Sequence, residues 1–322
     1  MYRDKRVLLI GGGGTLGTFV GKELLSLGAR VDVLCPEEKA SDNEMLTFIR
    51  GLGTREFLSE LFAKRRYDGI INFIHYRYAE EYKEIHPLLI SNTDHLIFLS
   101  SYRVYADTQH PITESAPQLY KVLEDPEFFA SETYAYPKSL CEDYLRDERT
   151  GESWTIVRPV VSSSSQKRLD LFSYSGYSIL EAADNGTELL LPDYAKSFKA
   201  GFDWAGNSGK LIARLLFNPR AIGEAFTVYS GHGLTWGEVG EIYQKLTGVR
   251  IRYCDISEFL EANPGIENAW YYKYDRRFNR DVDCSKIMDV TGLTREDFTS
   301  IEDALKLELD KLGWKRKDAQ IK

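Results

Sequence analysis

A tyrosine and a lysine that lie four positions apart, Tyr134 and Lys138, form a pair that can move a proton. Side chains four residues apart share one face of a helix, and Ser131 is predicted to cap this helix with Pro137 in its first turn. Lowering a tyrosine pKa from about 10 towards 7 requires about 4 kcal/mol of preferential phenolate stabilisation, to which a neighbouring ammonium contributes. Ser101 follows a predicted strand, and its hydroxyl can hydrogen-bond the substrate oxygen whose proton the tyrosine would move. This trio suits the proton transfer that accompanies hydride transfer at a hydroxyl or keto carbon.

Each of these residues also has a purely structural interpretation. The chain contains 20 tyrosines, so a chance Tyr-x-x-x-Lys is easy to find, and the pair could be a packed ring beside a solvated amine. Ser101 alone is more often a capping hydroxyl. The chemical interpretation therefore depends on what surrounds the pair.

A glycine-rich turn near the start of the chain provides that context. The apolar segment at 6–10 is typical of a strand buried on both faces, and the pattern G-x-x-G-x-x-G follows it through Gly11, Gly14 and Gly17. A helical apolar period comes next, and a second strand at 30–34 completes a βαβ unit. Such a turn lets backbone N–H groups and the positive end of a helix approach a pyrophosphate. The alternative is a glycine-rich turn that binds no ligand.

Further apolar segments predict more strands of the same sheet. Buried strands are expected at 69–74, 95–99 and 154–159, and a short helix is expected to end near Lys64. Residues 35–43 are predicted to form a polar loop, with no further buried strand before residue 69. This alternation of strands and helices indicates a parallel sheet covered on both faces, that is, an α/β protein.

Composition limits the classes of function. With 322 residues the chain can bury a large core, and its net charge of -8 argues against nucleic acid or an anionic membrane as a general partner. The four cysteines are far apart and are interpreted as reduced thiols. Neither a signal peptide nor a membrane-spanning run is recognised, so we expect a cytoplasmic protein. No cluster has metal-ligand spacing, and we predict no metal.

The order of these motifs resembles that of the extended short-chain dehydrogenase/reductase family, which includes nucleotide-sugar epimerases and dehydratases. The glycine turn is followed by Ser-Ser-x-x-Val-Tyr at 100–105, Tyr-x-x-x-Lys at 134–138 and Val-Arg-Pro at 157–159. Residues 218–228 resemble the last sheet strand of the family and the segment before it. Residues 275–286 are similar to a C-terminal stretch of sugar-nucleotide dehydratases. The resemblance covers nearly the whole chain.

The resemblance implies a fold and a division into domains. It implies a Rossmann-type doubly wound parallel sheet with a smaller C-terminal α+β substrate domain. Residues 1–160 would form the dinucleotide-binding domain, and residues 200–230 would return to it. Residues 161–199 and 231–322 would form the substrate domain. Dimerisation through two helices of each subunit is common in that family, so a homodimer is left open.

The resemblance also assigns roles to the trio. Tyr134 would be the catalytic acid and base, Lys138 its activator and a ligand of the cofactor ribose, and Ser101 the hydroxyl that polarises the substrate oxygen. The cofactor would be NAD or NADP. The residues expected to contact it are Gly11, Gly14, Thr15, Leu16, Gly17, Cys35, Ile74, Tyr134 and Lys138.

Several positions depart from the family pattern. Tyr102 and Arg103 stand where the dehydratases carry the Asp and Glu that drive water elimination, which argues against 4,6-dehydration. Cys35 stands where NAD-specific members have an acidic ribose ligand. Ile74 and His75 replace small residues beside the expected cofactor path, and His75 is interpreted as a packed histidine.

The choice between NAD and NADP stays open at this point. Leu52 replaces a family Asp near the adenine. Glu37 or Glu38 could bind the ribose hydroxyls, whereas Lys39 or Arg50 could meet a 2′-phosphate. We favour NAD.

Substrate contacts are expected from an aromatic and two arginines. Tyr102 follows the catalytic serine, and the guanidinium forks of Arg276 and Arg277 suit a diphosphate, although a surface salt-bridge cluster would look the same in sequence. The predicted function is oxidation, reduction or epimerisation at a carbon of a sugar, one that we expect to be nucleotide-linked. The alternatives are an NADPH-dependent reductase of a non-sugar ketone and a dinucleotide-sensing protein that has lost catalysis.

Overall fold

The computed structural model describes residues 2–164 and 169–315 of the chain. Within them, eleven strands form one seven-stranded and two two-stranded sheets. The strands are β1 Arg6–Ile10, β2 Arg30–Cys35, β3 Leu46–Arg50, β4 Gly69–Asn72, β5 His95–Leu99, β6 Trp154–Pro159, β7 Val161–Ser163, β8 Glu188–Pro192, β9 Phe202–Trp204, β10 Glu224–Val228 and β11 Arg250–Cys254.

Eleven α-helices occur in the same described ranges, together with shorter helical turns. They are α1 Thr15–Ser26, α2 Arg55–Lys64, α3 Ala79–Ser91, α4 Pro126–Ser131, α5 Ala135–Asp143, α6 Gly176–Asn185, α7 Ala205–Leu215, α8 Trp236–Thr247, α9 Ile256–Ala262, α10 Ser285–Thr291 and α11 Ile301–Lys311. Among the helices of residues 2–164 and 169–315, none combines the length and the apolar character needed to cross a bilayer.

The seven-stranded sheet is parallel, and both of its faces are covered. Successive residues of β1 point to opposite faces, so Val7 and Leu9 pack under α1 and α7 while Leu8 and Ile10 pack under α2 and α3. Such strands are apolar at consecutive positions because neither face meets water. The predicted α/β architecture with a Rossmann-type sheet is therefore confirmed.

The strand order places a ligand crevice at the carboxyl end of β1. The order is β10-β6-β5-β4-β1-β2-β3, so the chain proceeds from β1 to one side through β2 and β3 and then crosses to β4 on the other side. Loops that leave β1 and β4 in opposite directions open a gap between them. In open α/β sheets, ligands bind at this point of reversal.

The predicted strand pattern missed β3. The sequence indicated no strand between the loop after Cys35 and residue 69, whereas Leu46–Arg50 pairs in parallel with β2 at the edge of the sheet. Its residues are half-buried or exposed, so the continuous apolar run that marks a central strand is absent.

The C-terminal half of the chain forms a second core and also returns to the sheet. The parallel pair β8 and β11 and the helix α8 enclose aromatic residues such as Phe172 and Trp236. The segment after residue 200 adds α7 and β10 to the main sheet, while β9 pairs with β7 instead. Ile287 of α10 and Leu293 also belong to the sheet core, so the chain returns to it once more.

A buried ion pair joins β6 to α5. The Arg158 Nε donates to Glu142 Oε1 at 2.9 Å, a second bond joins Arg158 Nη2 to Glu142 Oε2, and both side chains are almost fully buried. Burial by itself would raise the pKa of Glu142, but the Arg158 guanidinium outweighs burial and holds that pKa below its usual value. The arginine of the Val-Arg-Pro motif thus anchors the helix that carries Lys138.

We predict that Arg158→Met will lower the free energy of unfolding by about 3–5 kcal/mol, because it leaves the Glu142 carboxylate buried without its partner. Urea denaturation measures this loss. The control is Arg220→Met, which removes the arginine of an exposed pair with Asp289 and should cost less than about 1 kcal/mol. Equal losses in the two variants would contradict an anchoring role for Arg158.

Candidate active site

One cavity of about 610 Å³ lies at the carboxyl ends of the central strands. Its lining combines the glycine turn after β1, the residues after β5, the start of α5 and part of the C-terminal segment. Ligand cavities of ordinary size fall between about 300 and 1,000 Å³. The crevice predicted by the strand order is therefore large enough for a ligand.

The glycine turn has the shape that a pyrophosphate requires. Gly11 has a φ of +72°, and a Cβ on Gly17 would lie 2.3 Å from the Gly12 carbonyl oxygen, so both positions need glycine for the fold itself. A Cβ on Gly14, in contrast, would meet no protein atom within 4 Å. The first turn of α1, which starts after Gly14, has no side-chain cap and no acidic residue. These observations fit an anion held against free N–H groups at the helix start.

Of the other residues predicted to contact a cofactor, Thr15, Leu16 and Tyr134 line the cavity, whereas Cys35, Ile74 and Lys138 do not. Thr15 and Leu16 lie on its wall. The Cys35 side chain is buried beneath Gly13, and Ile74 packs so closely on Gly53 that a Cβ there would lie 2.3 Å from Ile74 Cδ1. Neither belongs to the cavity lining; the residue before Ile74, Phe73, takes its expected place.

Ser101 lines the cavity immediately after β5. Its Oγ accepts a hydrogen bond of 3.2 Å from the Arg103 N–H and thereby starts the helical turn Tyr102–Val104. Since this bond uses only an acceptor position, the hydroxyl hydrogen can still be donated to a ligand. The capping role and the predicted polarising role are therefore compatible.

The helix that carries Lys138 begins later than predicted, and a different residue satisfies its first N–H groups. Ser131 ends α4 and donates its hydroxyl to Glu127 O, so the prediction that it caps α5 is wrong. Glu132 Oε2 instead accepts from Tyr134 N at 3.0 Å and from Tyr136 N at 2.8 Å. General capping preferences favour serine over glutamate, so no feature of the sequence pointed to this role.

Lys138 is buried beside Tyr134. Its Nζ donates to the carbonyl oxygens of Leu99 at 2.5 Å and Ser100 at 3.4 Å, and it lies 5.4 Å from the centre of the Tyr134 ring. Burial lowers the pKa of the Lys138 ammonium from its ordinary value, although the neighbouring phenol acts in the opposite direction. The structure thus brings the predicted tyrosine and lysine together, with Tyr134 on the cavity wall.

Two further groups lie against Tyr134. The Arg103 guanidinium carbon is 4.9 Å from the ring centre, and the His75 ring centre is 5.3 Å away. Burial, with help from the Lys138 charge, lowers the pKa of His75, so this imidazole is neutral near pH 7. The sequence marked Arg103 only as a missing acid, and nothing in its spacing indicated a contact with the tyrosine.

The three predicted substrate residues are divided between two cavities. Tyr102 donates its hydroxyl to Asp275 Oδ2 at 2.9 Å, and Arg276 pairs with the same carboxylate while its Nε donates to Phe172 O at 2.6 Å. Both line the main cavity, whereas Arg277 lines a second cavity of about 370 Å³. Consecutive residues of a helical turn point in different directions, so the two guanidinium groups do not line the same cavity.

Asp275 organises this part of the wall. Besides Tyr102 and Arg276, it accepts from Arg280 Nε at 2.9 Å. Burial by itself would raise the pKa of Asp275, but the two guanidinium groups outweigh burial and lower it. A buried carboxylate therefore holds the arginines in place.

Solved structures that include epimerases have the same fold. An epimerase from Methanothermobacter thermautotrophicus superimposes with a TM-score of 0.69 at 17% identity, covering 97% of this chain and 93% of that one. The UDP-glucose 4-epimerase of Thermotoga maritima, solved with UDP-glucose, gives 0.67 at 16% over 96% and 98%. The Bordetella bronchiseptica enzyme WbmG, solved with NAD and UDP, gives 0.68 at 16% over 96% and 95%. No family model and no curated protein matches the sequence.

These likenesses define the class of fold. The chain shares the fold of these solved epimerases, as the resemblance of its motif order implied. The shared fold extends over 96% of the chain in the comparison with the UDP-glucose 4-epimerase.

We predict opposite outcomes for two glycine substitutions in the turn. Gly17→Ala should lower the free energy of unfolding by about 1–3 kcal/mol, because its Cβ would overlap the Gly12 backbone. Gly14→Ala should leave stability nearly unchanged and weaken dinucleotide binding at least about tenfold, since its methyl group enters only the space reserved for the ligand. Thermal unfolding and calorimetric titration measure the two effects. Unchanged dinucleotide binding by Gly14→Ala would contradict the proposed position of the pyrophosphate.

Proposed function

We propose that this protein is a dinucleotide-dependent epimerase that acts on a hydroxyl carbon of a nucleotide-linked sugar. The observation that carries the proposal is the meeting of Ser101, Tyr134 and the glycine turn at one cavity, with Lys138 buried beside the phenol. The likeness to epimerases with the same fold supports the choice of reaction.

The chain's own residues account for the movement of the proton. Tyr134 as phenolate takes the proton of the substrate hydroxyl and later returns it, and Ser101 donates a hydrogen bond to the same oxygen. Lys138 stabilises the phenolate through its charge. A bound nicotinamide would accept the hydride from the carbon and give it back to the opposite face, so the reaction has no net oxidation. The pair Tyr102 and Arg103 lacks the acid and base that 4,6-dehydration requires.

The glycine turn and the start of α1 would hold the cofactor pyrophosphate, and we propose NAD as the preferred cofactor. A Cβ on Gly13 would lie 3.0 Å from Glu37 Oε2, which puts this carboxylate beside the turn. The two candidate cations have protein partners, since Lys39 Nζ donates to Gly13 O and Arg50 pairs with the exposed Glu38. A carboxylate here binds ribose hydroxyls and repels a 2′-phosphate.

Arg276 is the residue that we propose for the nucleotide part of the substrate. Its guanidinium lies at the cavity wall, 4.7 Å from the ring centre of Trp236, and keeps its charge while bound to Asp275. Arginine is suited to a diphosphate. Neighbouring structures contain UDP or UDP-glucose, which favours a uridine nucleotide as the first ligand to test. Arg277 is not part of this proposal.

We predict that Tyr134→Phe will reduce turnover of a confirmed UDP-sugar substrate at least about 100-fold, because the proton then has no acceptor. Lys138→Met should cause a loss of similar order. Proton NMR of the interconverting sugars measures the rates. The control is Tyr136→Phe, which removes the hydroxyl of a tyrosine two positions along that packs on Phe128 and Tyr120, and which should retain activity. Full activity in Tyr134→Phe would exclude this tyrosine as the base.

The same assay separates the epimerase from its two rivals. An epimerase interconverts two sugars without consuming added NADH or NADPH, whereas a reductase consumes one equivalent for each turnover. A dinucleotide sensor binds the cofactor and converts none of the UDP-sugars.

We predict that Glu37→Gln will change the ratio of the two dissociation constants, for NADP and for NAD, by at least about tenfold in favour of NADP, equivalent to about 1.4 kcal/mol. The lost charge no longer repels a 2′-phosphate. Equilibrium binding of both dinucleotides to protein freed of bound cofactor measures the ratio. Glu44→Gln makes the same change of charge at an exposed residue farther along the chain, and should leave the ratio nearly unchanged. A ratio unaffected by Glu37→Gln would contradict the role of Glu37.

A further inference from the structure

Two cations that come from different elements lie close to the ring of Tyr134. Lys138 of α5 is 5.4 Å from the ring centre, and Arg103 of the turn after β5 is 4.9 Å from it. The lysine is part of the recognised motif, but the arginine has no assigned role. We propose that Arg103, together with Glu132, is a positioning residue that sets how readily the Tyr134 phenol ionises. This inference rests on the proposed role of Tyr134 as the proton acceptor.

Arg103 is held in place by the same residues that form the site. Its backbone N–H bonds to Ser101 Oγ, and its side chain is only 17% exposed. Its Nη2 lies 3.8 Å from Glu132 Oε1, and its Nε is buried without a hydrogen-bond partner in the described residues. The guanidinium is therefore poorly hydrated, and its charge acts strongly on nearby groups.

Glu132 connects this arginine to the backbone of the tyrosine. One carboxylate oxygen, Oε2, accepts from Tyr134 N and Tyr136 N, while the other, Oε1, faces Arg103. The side chain of Glu132 is 2% exposed. A single buried carboxylate thus fixes the start of α5 and also opposes the charge of Arg103.

The remaining charged groups around the phenol do not cancel this effect. His75, from the loop after β4, is neutral near pH 7 because burial and Lys138 lower its pKa. Asp275 is compensated by Arg276 and Arg280. The other charged residue of the cavity lining is Asp170, and its charge acts on Arg276. Opposite charges within about 4–6 Å of an ionisable group favour its charged form, so Arg103 favours the phenolate and Glu132 disfavours it.

The test is the ionisation midpoint of Tyr134 in the free protein, followed by NMR of tyrosine labelled with ¹³C at Cζ. Tyr134→Phe identifies the signal by its loss. Arg103→Gln should move the midpoint up by about one pH unit, and Glu132→Gln should move it down by a similar amount. Arg103→Lys keeps the charge and should remain close to the unsubstituted protein. Arg66→Gln removes a remote exposed arginine, paired with Asp94, and is the matched control.

Arg103→Gln and Glu132→Gln should move the Tyr134 midpoint in opposite directions. This contrast separates an effect of charge from an effect of structural disturbance. A disturbed cavity would move the midpoint in the same direction in both variants, and an uninvolved pair would move it in neither; each result overturns the inference. If Glu132→Gln fails to fold, the contrast between Arg103→Gln and Arg103→Lys still decides.

Turnover should fall on the acidic side of its pH profile, and the pH of half-maximal turnover there should shift with the NMR midpoint in each variant. If turnover requires Tyr134 but the midpoint is indifferent to Arg103, this inference fails and the proposed function stands. If the midpoint responds but no UDP-sugar is converted, the proposed function fails and the charge pair stands.

Discussion

The buried ammonium of Lys138 is the constraint on which the arrangement of the site depends. Removing an ammonium from water costs several kcal/mol unless hydrogen bonds replace its hydration. The Leu99 and Ser100 carbonyls at the end of β5 supply those bonds. They tie α5 to β5 at one point, so Ser101, the next residue along, and Tyr134, one helical turn back, must face the same space. The ion pair between Glu142 and Arg158 fixes the other end of α5 to β6.

A second buried charge cluster closes the cavity from the C-terminal side. Asp275 binds the Tyr102 hydroxyl, and Arg280 Nη1 donates to the Tyr105 carbonyl at 3.1 Å, so the segment after β5 and the segment near residue 275 are joined directly. A carboxylate with guanidinium partners tolerates burial better than any of these groups alone. This wall of the cavity is consequently built on the element that also carries Ser101. A ligand bound at Arg276, as we propose, would therefore be positioned relative to Ser101 and Tyr134.

The sequence predicted the central strands and the closeness of Tyr134 to Lys138, because both depend on local patterns. Buried strands are apolar at successive positions, and the motif residues are close to strand ends or one helical turn apart. Edge strand β3 was missed since it is half-exposed. Contacts between distant segments were not predictable from spacing: Glu132 caps α5 in place of Ser131, and Arg277 turns away from Arg276. Such outcomes depend on the direction of each side chain, which neighbours in space decide.

Arg103 stands where the resemblance leads us to expect an acidic residue. This difference bears both on 4,6-dehydration, which it disfavours, and on the alcohol oxidation that we propose. Water elimination needs one group that protonates a leaving hydroxyl and another that removes a proton from carbon, and a guanidinium remains protonated and can do neither. A carboxylate at this position would also place a negative charge near Tyr134 and oppose the phenolate. Arginine reverses the sign of that charge and so would support Tyr134 as the proposed proton acceptor beside Ser101 and Lys138. On the proposed function, the same side chain disfavours water elimination and assists reversible oxidation of an alcohol.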